Sequence, residues 1–179
     1  MHWLPLLNLF LATGGLVLLA LTIGLYADYF FNQSRFFSRW LKRYVWQAIM
    51  VTSVGGVALS LLYSEYFGFV PCSLCWLQRI ALYPQALLSI MAFRMKEAVY
   101  YPLYGIALSL FGLVVAIYQY IYQLLPKEVL ATGALPCLVD GTADCGTKII
   151  DLFGFVTFPF LSAVTFLFLI ILYLNLRRA

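Results

Sequence analysis

Four cysteines are the residues with the clearest capacity for chemistry: Cys72, Cys75, Cys137 and Cys145. The first two form a C-x-x-C, and the second two have seven residues between them, Gly141 included. A C-x-x-C at the start of a helix can close a disulfide across the first turn. When it is reduced, its inner thiol sits at the positive end of the helix dipole, which favours thiolate. Arg79 follows Cys75 by four residues, on the same helical face one turn deeper. The second pair can turn back at Gly141 and close a small ring. Redox exchange is the chemistry these spacings suit best. Two other uses compete. Both pairs could be structural staples, but a C-x-x-C closes almost no loop and so gains little as a staple. All four thiolates could hold zinc, but this spacing on separate loops suits a zinc site poorly.

The elements that must position these residues are membrane helices. The chain has 179 residues, 64% hydrophobic, 18% aromatic and 10% charged. A soluble domain is closer to ~25% charged, and a disordered chain is not so rich in aromatics. One domain fits the length. Five apolar runs approach the ~20 residues a spanning helix needs: about Leu6–Tyr26, Val45–Tyr63, Trp76–Phe93, Val99–Tyr122 and Leu152–Leu174. They are too long for barrel strands and lack alternation. The first is not a cleavable signal peptide, because no Lys or Arg precedes it and its apolar run is longer than a signal core.

Basic residues set the orientation. Eight of the eleven Lys and Arg fall in Asn32–Tyr44, in Arg94–Glu97 and in the C-terminal tail. The positive-inside rule puts those segments in the cytoplasm. The N-terminus and the segments Ser64–Cys75 and Gln123–Asp151 then face outward. All four cysteines fall in the two outward segments, where disulfides can form and persist. The net charge of +4 forms no nucleic-acid stripe, and no nucleic-acid partner is expected. Arg79 lies at or just below the membrane interface, where a charge is costly and usually has a partner or a task. An arginine snorkelling to the headgroups is the bland interpretation. Beside a C-x-x-C, stabilising a thiolate at Cys75 and the charge on a reduced acceptor is the sharper one. Gln78, Gln85, Gln119 and Gln123 are polar residues in or near spans. Each is more readily an interhelical hydrogen-bonder than an acceptor ligand. Gln123, at the outer end of the fourth span, is the one singled out for the acceptor.

Two stretches carry a resemblance. One is YSEYFGFVPCSLCWLQRIALYP, Tyr63–Pro84, and the other is CGTKIIDLFGFVTFPFLS, Cys145–Ser162. Together with the order of elements, they resemble the disulfide-bond formation protein B family, DsbB, and its BdbC-type branch in particular. The resemblance covers about Tyr44 to Leu174. It implies an all-α integral membrane protein with a DsbB-like four-helix bundle, occupying residues 44–179. Residues 1–43 depart from the family pattern, adding an N-terminal transmembrane helix and a basic cytoplasmic loop and bringing the count to five spans. The implied setting is the bacterial cytoplasmic (inner) membrane.

The resemblance further implies a quinone-dependent dithiol oxidase that reoxidises a DsbA-like thioredoxin-fold partner. A DsbA–DsbB–quinone relay of this kind keeps a periplasm oxidising by kinetics rather than by a buffer. Cys137 would be the sulfur attacked by the reduced partner, and Cys145 its disulfide mate, later pairing with Cys72. Cys75 would meet the quinone, ubiquinone or menaquinone, and Arg79 matches the family's quinone-site arginine. Two alternatives stand beside this: a non-enzymatic scaffold with two structural disulfides, and a vitamin K epoxide reductase-like quinone reductase. The latter family orders its cysteine pairs the other way.

Overall fold

In the lipid core no water is available to the backbone, so each crossing segment must satisfy its own N–H and C=O groups, and a helix does so. The computed structural model describes residues 3–31, 35–95, 99–126 and 145–178, with the side chains of 35–42 outside the description. Five long helices make up the described bundle. They are α1 (Leu4–Phe31), α2 (Arg35–Leu61), α3 (Ser73–Met95), α4 (Tyr101–Leu124) and α5 (Phe158–Arg177). A π-helical turn, Leu62–Tyr66, widens the end of α2.

Four segments are long and apolar enough to cross a membrane: Leu4–Phe31, Arg43–Tyr66, Tyr101–Leu124 and Phe158–Arg177. The multi-pass membrane bundle expected from the sequence is therefore present. The expected fifth crossing, α3, is not among these four. Its 23 residues include Gln78, Arg79, Pro84, Gln85 and Ser89, which dilute its apolar character. Arg79, Gln85 and Ser89 are buried in the bundle, so α3 directs its polar groups at protein. The helix runs unbroken through Pro84.

The last helix also starts later than its apolar run suggested. Leu152–Phe155 was expected to be helical, but Leu152 and Val156 pair across a tight turn through two backbone hydrogen bonds. Phe153 and Gly154 take positive φ in that turn (57° and 76°). Pro159 then opens α5, where its missing N–H costs nothing.

Helices α4 and α5 share the largest interface, and α3 packs against both α2 and α4. Gly105 and Gly112 make the α4–α5 approach possible. A Cβ at either position would lie 2.3 Å from the ring of Tyr173 or Phe166. Buried polar side chains cross-link the bundle. Tyr173 Oη and Ser109 Oγ both donate to Gln85 Oε1 at 3.0 Å, and Ser53 Oγ donates to Ser89 Oγ at 3.0 Å. Such bonds act as interhelical glue in a medium without water.

One end of the bundle carries the cysteines and the other carries basic residues. At the basic end, Arg178 donates to the Tyr29 carbonyl at 3.2 Å and lies over the Tyr29 ring. This ties the C-terminus of α5 to that of α1, so the two helices run parallel.

Gly112→Ala should lower thermal stability in detergent by roughly 1–3 kcal/mol, the usual cost of overpacking. Gly55→Ala should leave the melting temperature near wild type, because a Cβ there meets nothing within 4 Å.

Candidate active site

Pro71 ends the extended segment that leads to α3, and Cys72 takes the position that caps the helix. Its carbonyl accepts the first helical bond, from Trp76 N–H at 3.0 Å. Its sulfur accepts from the Cys75 N–H at 3.4 Å, as a serine oxygen does in an ordinary N-cap. Cap geometry thus brings the two sulfurs to 2.8 Å from each other, both as free thiols.

Helix α4 supplies a second donor. Gln119 Nε2 lies 3.3 Å from Cys72 Sγ and 3.5 Å from Cys75 Sγ, donating toward both. Its orientation is fixed from α3, where Gln78 Nε2 donates to Gln119 Oε1 at 2.6 Å. The acceptor side of the amide is taken, so its N–H groups face sulfur. Gln119 is nearly fully buried, and burial strengthens such bonds.

These contacts separate the two thiols. Cys75 lies below the ordinary thiol value, chiefly because Cys72 donates a hydrogen bond to it. The Gln119 amide, a Cys72-side backbone contact and the Arg79 charge add to this, against burial. Cys72 is pushed well above that value by the hydrogen bond it gives Cys75 and by burial. Cys75 is therefore the more acidic sulfur and the one disposed to react as thiolate.

Arg79 is buried one turn deeper, with 8% of its surface exposed. Its Nε donates to Ser60 Oγ at 2.9 Å and its Nη2 to the Ser60 carbonyl at 3.0 Å. The guanidinium also stands 5.0 Å from the Trp76 ring centroid. The ion pair found among the described residues is Lys148–Asp151, on the loop before α5. No carboxylate there neutralises Arg79, so its field acts on the neighbouring sulfur and on the adjoining cavity.

That cavity, of about 960 Å³, is lined by Cys72, Cys75, Arg79, Gln119 and Gln123, and otherwise mainly by apolar side chains. It lies at the upper end of the range for small-molecule sites. Gln123 does not reach the sulfurs. Its Nε2 donates to the Cys145 and Thr147 carbonyls at 3.3 and 3.5 Å, anchoring the loop. Its Oε1 is buried with no hydrogen-bond partner among the described residues.

Cys145 is disulfide-bonded and almost fully buried. It belongs to the same packed apolar cluster as Cys72, Cys75, Leu74, Val115 and Tyr122. Cys137 lies outside the described residues. The structure thus brings Cys72, Cys75, Arg79 and Gln123 around one cavity, with Cys145 beside it. From sequence Gln123 stands out over Gln119 for the acceptor, whereas packing sets Gln119 against the sulfurs, and Ser60 is an unheralded partner of Arg79. A serine near the end of an apolar run carries no distinguishing signal.

A dithiol capping a helix, buried in a helical membrane bundle and open to a large apolar cavity, defines a membrane thiol–disulfide protein. Residues 42–176 match the family described as disulfide bond formation protein DsbB, and the chain belongs to that family. It is 35% identical over 130 residues to the probable disulfide formation protein of Oceanobacillus iheyensis, covering 73% of this chain and 86% of that one. It is also 35% identical over 127 residues to disulfide bond formation protein C of Bacillus subtilis, covering 70% and 84%. With the probable disulfide formation protein of Coxiella burnetii (strain Dugway 5J108-111) it shares 32% identity over 153 residues, covering 79% and 95%. No solved structure matches the chain.

Gln119→Leu removes a donor that favours the Cys75 thiolate. The pH of half-maximal alkylation of Cys75 should therefore rise. An unchanged profile would mean the amide contributes nothing to the thiolate.

Proposed function

We propose that the protein reoxidises an extracytoplasmic DsbA-like, thioredoxin-fold dithiol oxidase and passes the electrons to membrane quinone. The observation that carries this reading is the free Cys72–Cys75 pair, open to a large apolar cavity beside a buried arginine with no carboxylate partner among the described residues. Family membership supports a role in disulfide bond formation, and the placement of the cysteines and the cavity supports the finer assignment. In this reading α3 is a fifth crossing. The N-terminus and both cysteine segments face outward, and the basic end is cytoplasmic.

The cavity suits a quinone. Its walls are mainly apolar, and its polar lining includes Gln123, whose Oε1 has no hydrogen-bond partner among the described residues. When bound, a quinone supplies an oxidant that takes two electrons and two protons. Every other step falls to the chain's sulfurs. The partner's dithiol reduces the disulfide that holds Cys145, leaving two thiols there and a disulfide in the partner. Cys145, as thiolate, attacks Cys72 in a Cys72–Cys75 disulfide and expels Cys75 as thiolate. Cys137, the remaining thiol of its pair, then displaces Cys72 from the mixed disulfide. This restores the loop disulfide and leaves Cys72 and Cys75 reduced. Cys75 leaves as the thiolate, which the Gln119 amide and the Arg79 charge favour. Arg79 holds negative charge at the cavity, and Gln119 orients both sulfurs. Oxidation of the thiols back to the Cys72–Cys75 disulfide releases the two electrons and two protons that the acceptor takes.

The buried charge of Arg79, which has no carboxylate partner among the described residues, favours this relay over a stapled scaffold. A merely structural C-x-x-C would have no use for a buried guanidinium one turn below it.

The test is turnover of purified protein with a reduced thioredoxin-fold dithiol and a quinone, followed by quinone absorbance. Serine at Cys72, Cys75, Cys137 or Cys145 should each abolish turnover. Arg79→Ala should weaken quinone use more than exchange with the partner. Full activity of Cys75→Ser would remove the assignment, and equal loss in both half-reactions of Arg79→Ala would remove the quinone role of that residue.

A further inference from the structure

The family match begins at residue 42, so α1 lies outside it. Yet α1 is fixed to the bundle at both ends and in the middle. Near its start, Tyr63 Oη of the π-helical turn donates to Asn8 Oδ1. Near its end, Arg178 bonds to the Tyr29 carbonyl and stacks on its ring. Between them, Gly15 allows so close an approach to α5 that a Cβ would run into the Leu161 side chain. The helix also touches α2, so it stands across the gap between α2 and α5.

That placement has a consequence for the cavity. Phe10, Leu11, Gly14, Gly15 and Leu18, spaced along one face of α1, line the same space as Cys75 and Arg79. At Gly14 a Cβ would meet nothing within 4 Å. The added helix therefore contributes wall to the cavity, and at Gly14 that wall is pared back to bare backbone.

We propose that α1 is the lateral wall of the acceptor cavity, and that Gly14 sets the width available to the quinone between the bilayer and the Cys72–Cys75 pair. This rests on the quinone reading given above. A lipid-soluble acceptor approaches from the membrane, and α1 stands on one side of its path. The wall acts on acceptor entry and fit alone, because the apolar cluster that holds Cys72, Cys75 and Cys145 is built without it. A larger side chain at position 14 should thus affect one substrate and not the other.

The test uses the full chain in detergent or liposomes, a short-chain benzoquinone and a reduced thioredoxin-fold dithiol. Gly14→Ala, Gly14→Leu and Gly14→Trp form a size series, and Gly24→Leu is the control, since Gly24 is on α1 but does not line the cavity. The quinone KM should rise several-fold from Ala to Trp. The KM for the dithiol, and reduction of the loop disulfide without quinone, should stay at the wild-type level. An azido-quinone photolabel should mark α1 between Phe10 and Leu18 in the wild type, and this labelling should fall in Gly14→Trp. If any variant misfolds, the photolabel on wild-type protein still decides the point. A wild type that uses quinone, with the KM unchanged by Trp at position 14 or with no label on α1, would overturn the wall. A wild type that oxidises the partner without any quinone would remove the acceptor reading itself, and the wall with it.

Discussion

The whole site depends on how one helix begins. Cys72 occupies the cap of α3, so its carbonyl and its sulfur are both held by main-chain N–H groups of the first turn. Cap geometry fixes the distance between the two sulfurs, and the same geometry sets the positive dipole end of the helix against them. Everything else at the site elaborates that arrangement. The Gln119 amide is aimed by Gln78, and Arg79 comes one turn later on the same face. The lower pKa of Cys75 then follows from neighbours that α3 and α4 together bring to it.

A membrane surrounding makes these contacts matter more and explains the character of α3. A guanidinium cannot be left bare in lipid, and here it is held by the side chain and carbonyl of Ser60 and by the Trp76 ring. The buried polar residues of α3 are turned toward α2, α4 and α5, where Gln85 collects donors from Ser109 and Tyr173. The same inward pointing serves structure deep in the bundle and chemistry near the end that carries the cysteines. Helices with less polar content, α1 above all, expose long apolar side chains such as Phe10, Val17 and Ile23, which suit a lipid surrounding.

Much of this was readable from residue order. Apolar runs located the helices, and the C-x-x-C with Arg79 four residues on located the helix start that carries the thiols. Three features were not readable, for physical reasons. Hydropathy does not distinguish an apolar turn from a helix, so the positive-φ turn at Phe153–Gly154 is absorbed into the apolar run of α5. Rotation of one helix against another decides which glutamine meets the sulfurs. Gln119 and Gln123 sit one turn apart on α4, and only packing selects Gln119. The Ser60 partnership with Arg79 joins residues nineteen positions apart across a π-helical turn, and no local pattern announces it. Cys145 stands beside the dithiol because the loop before α5 folds back onto α4, with Gln123 as the anchor.

The most direct measurement is a single turnover without partner. Protein with the Cys145 disulfide intact and only the Cys72–Cys75 pair reduced is mixed with a limiting amount of quinone, the quinone absorbance is followed, and the sulfur pairing is mapped by mass spectrometry after acid quench. The account requires stoichiometric loss of quinone together with a new Cys72–Cys75 disulfide. Quinone left intact, or consumed with Cys72 and Cys75 still reduced, would contradict it.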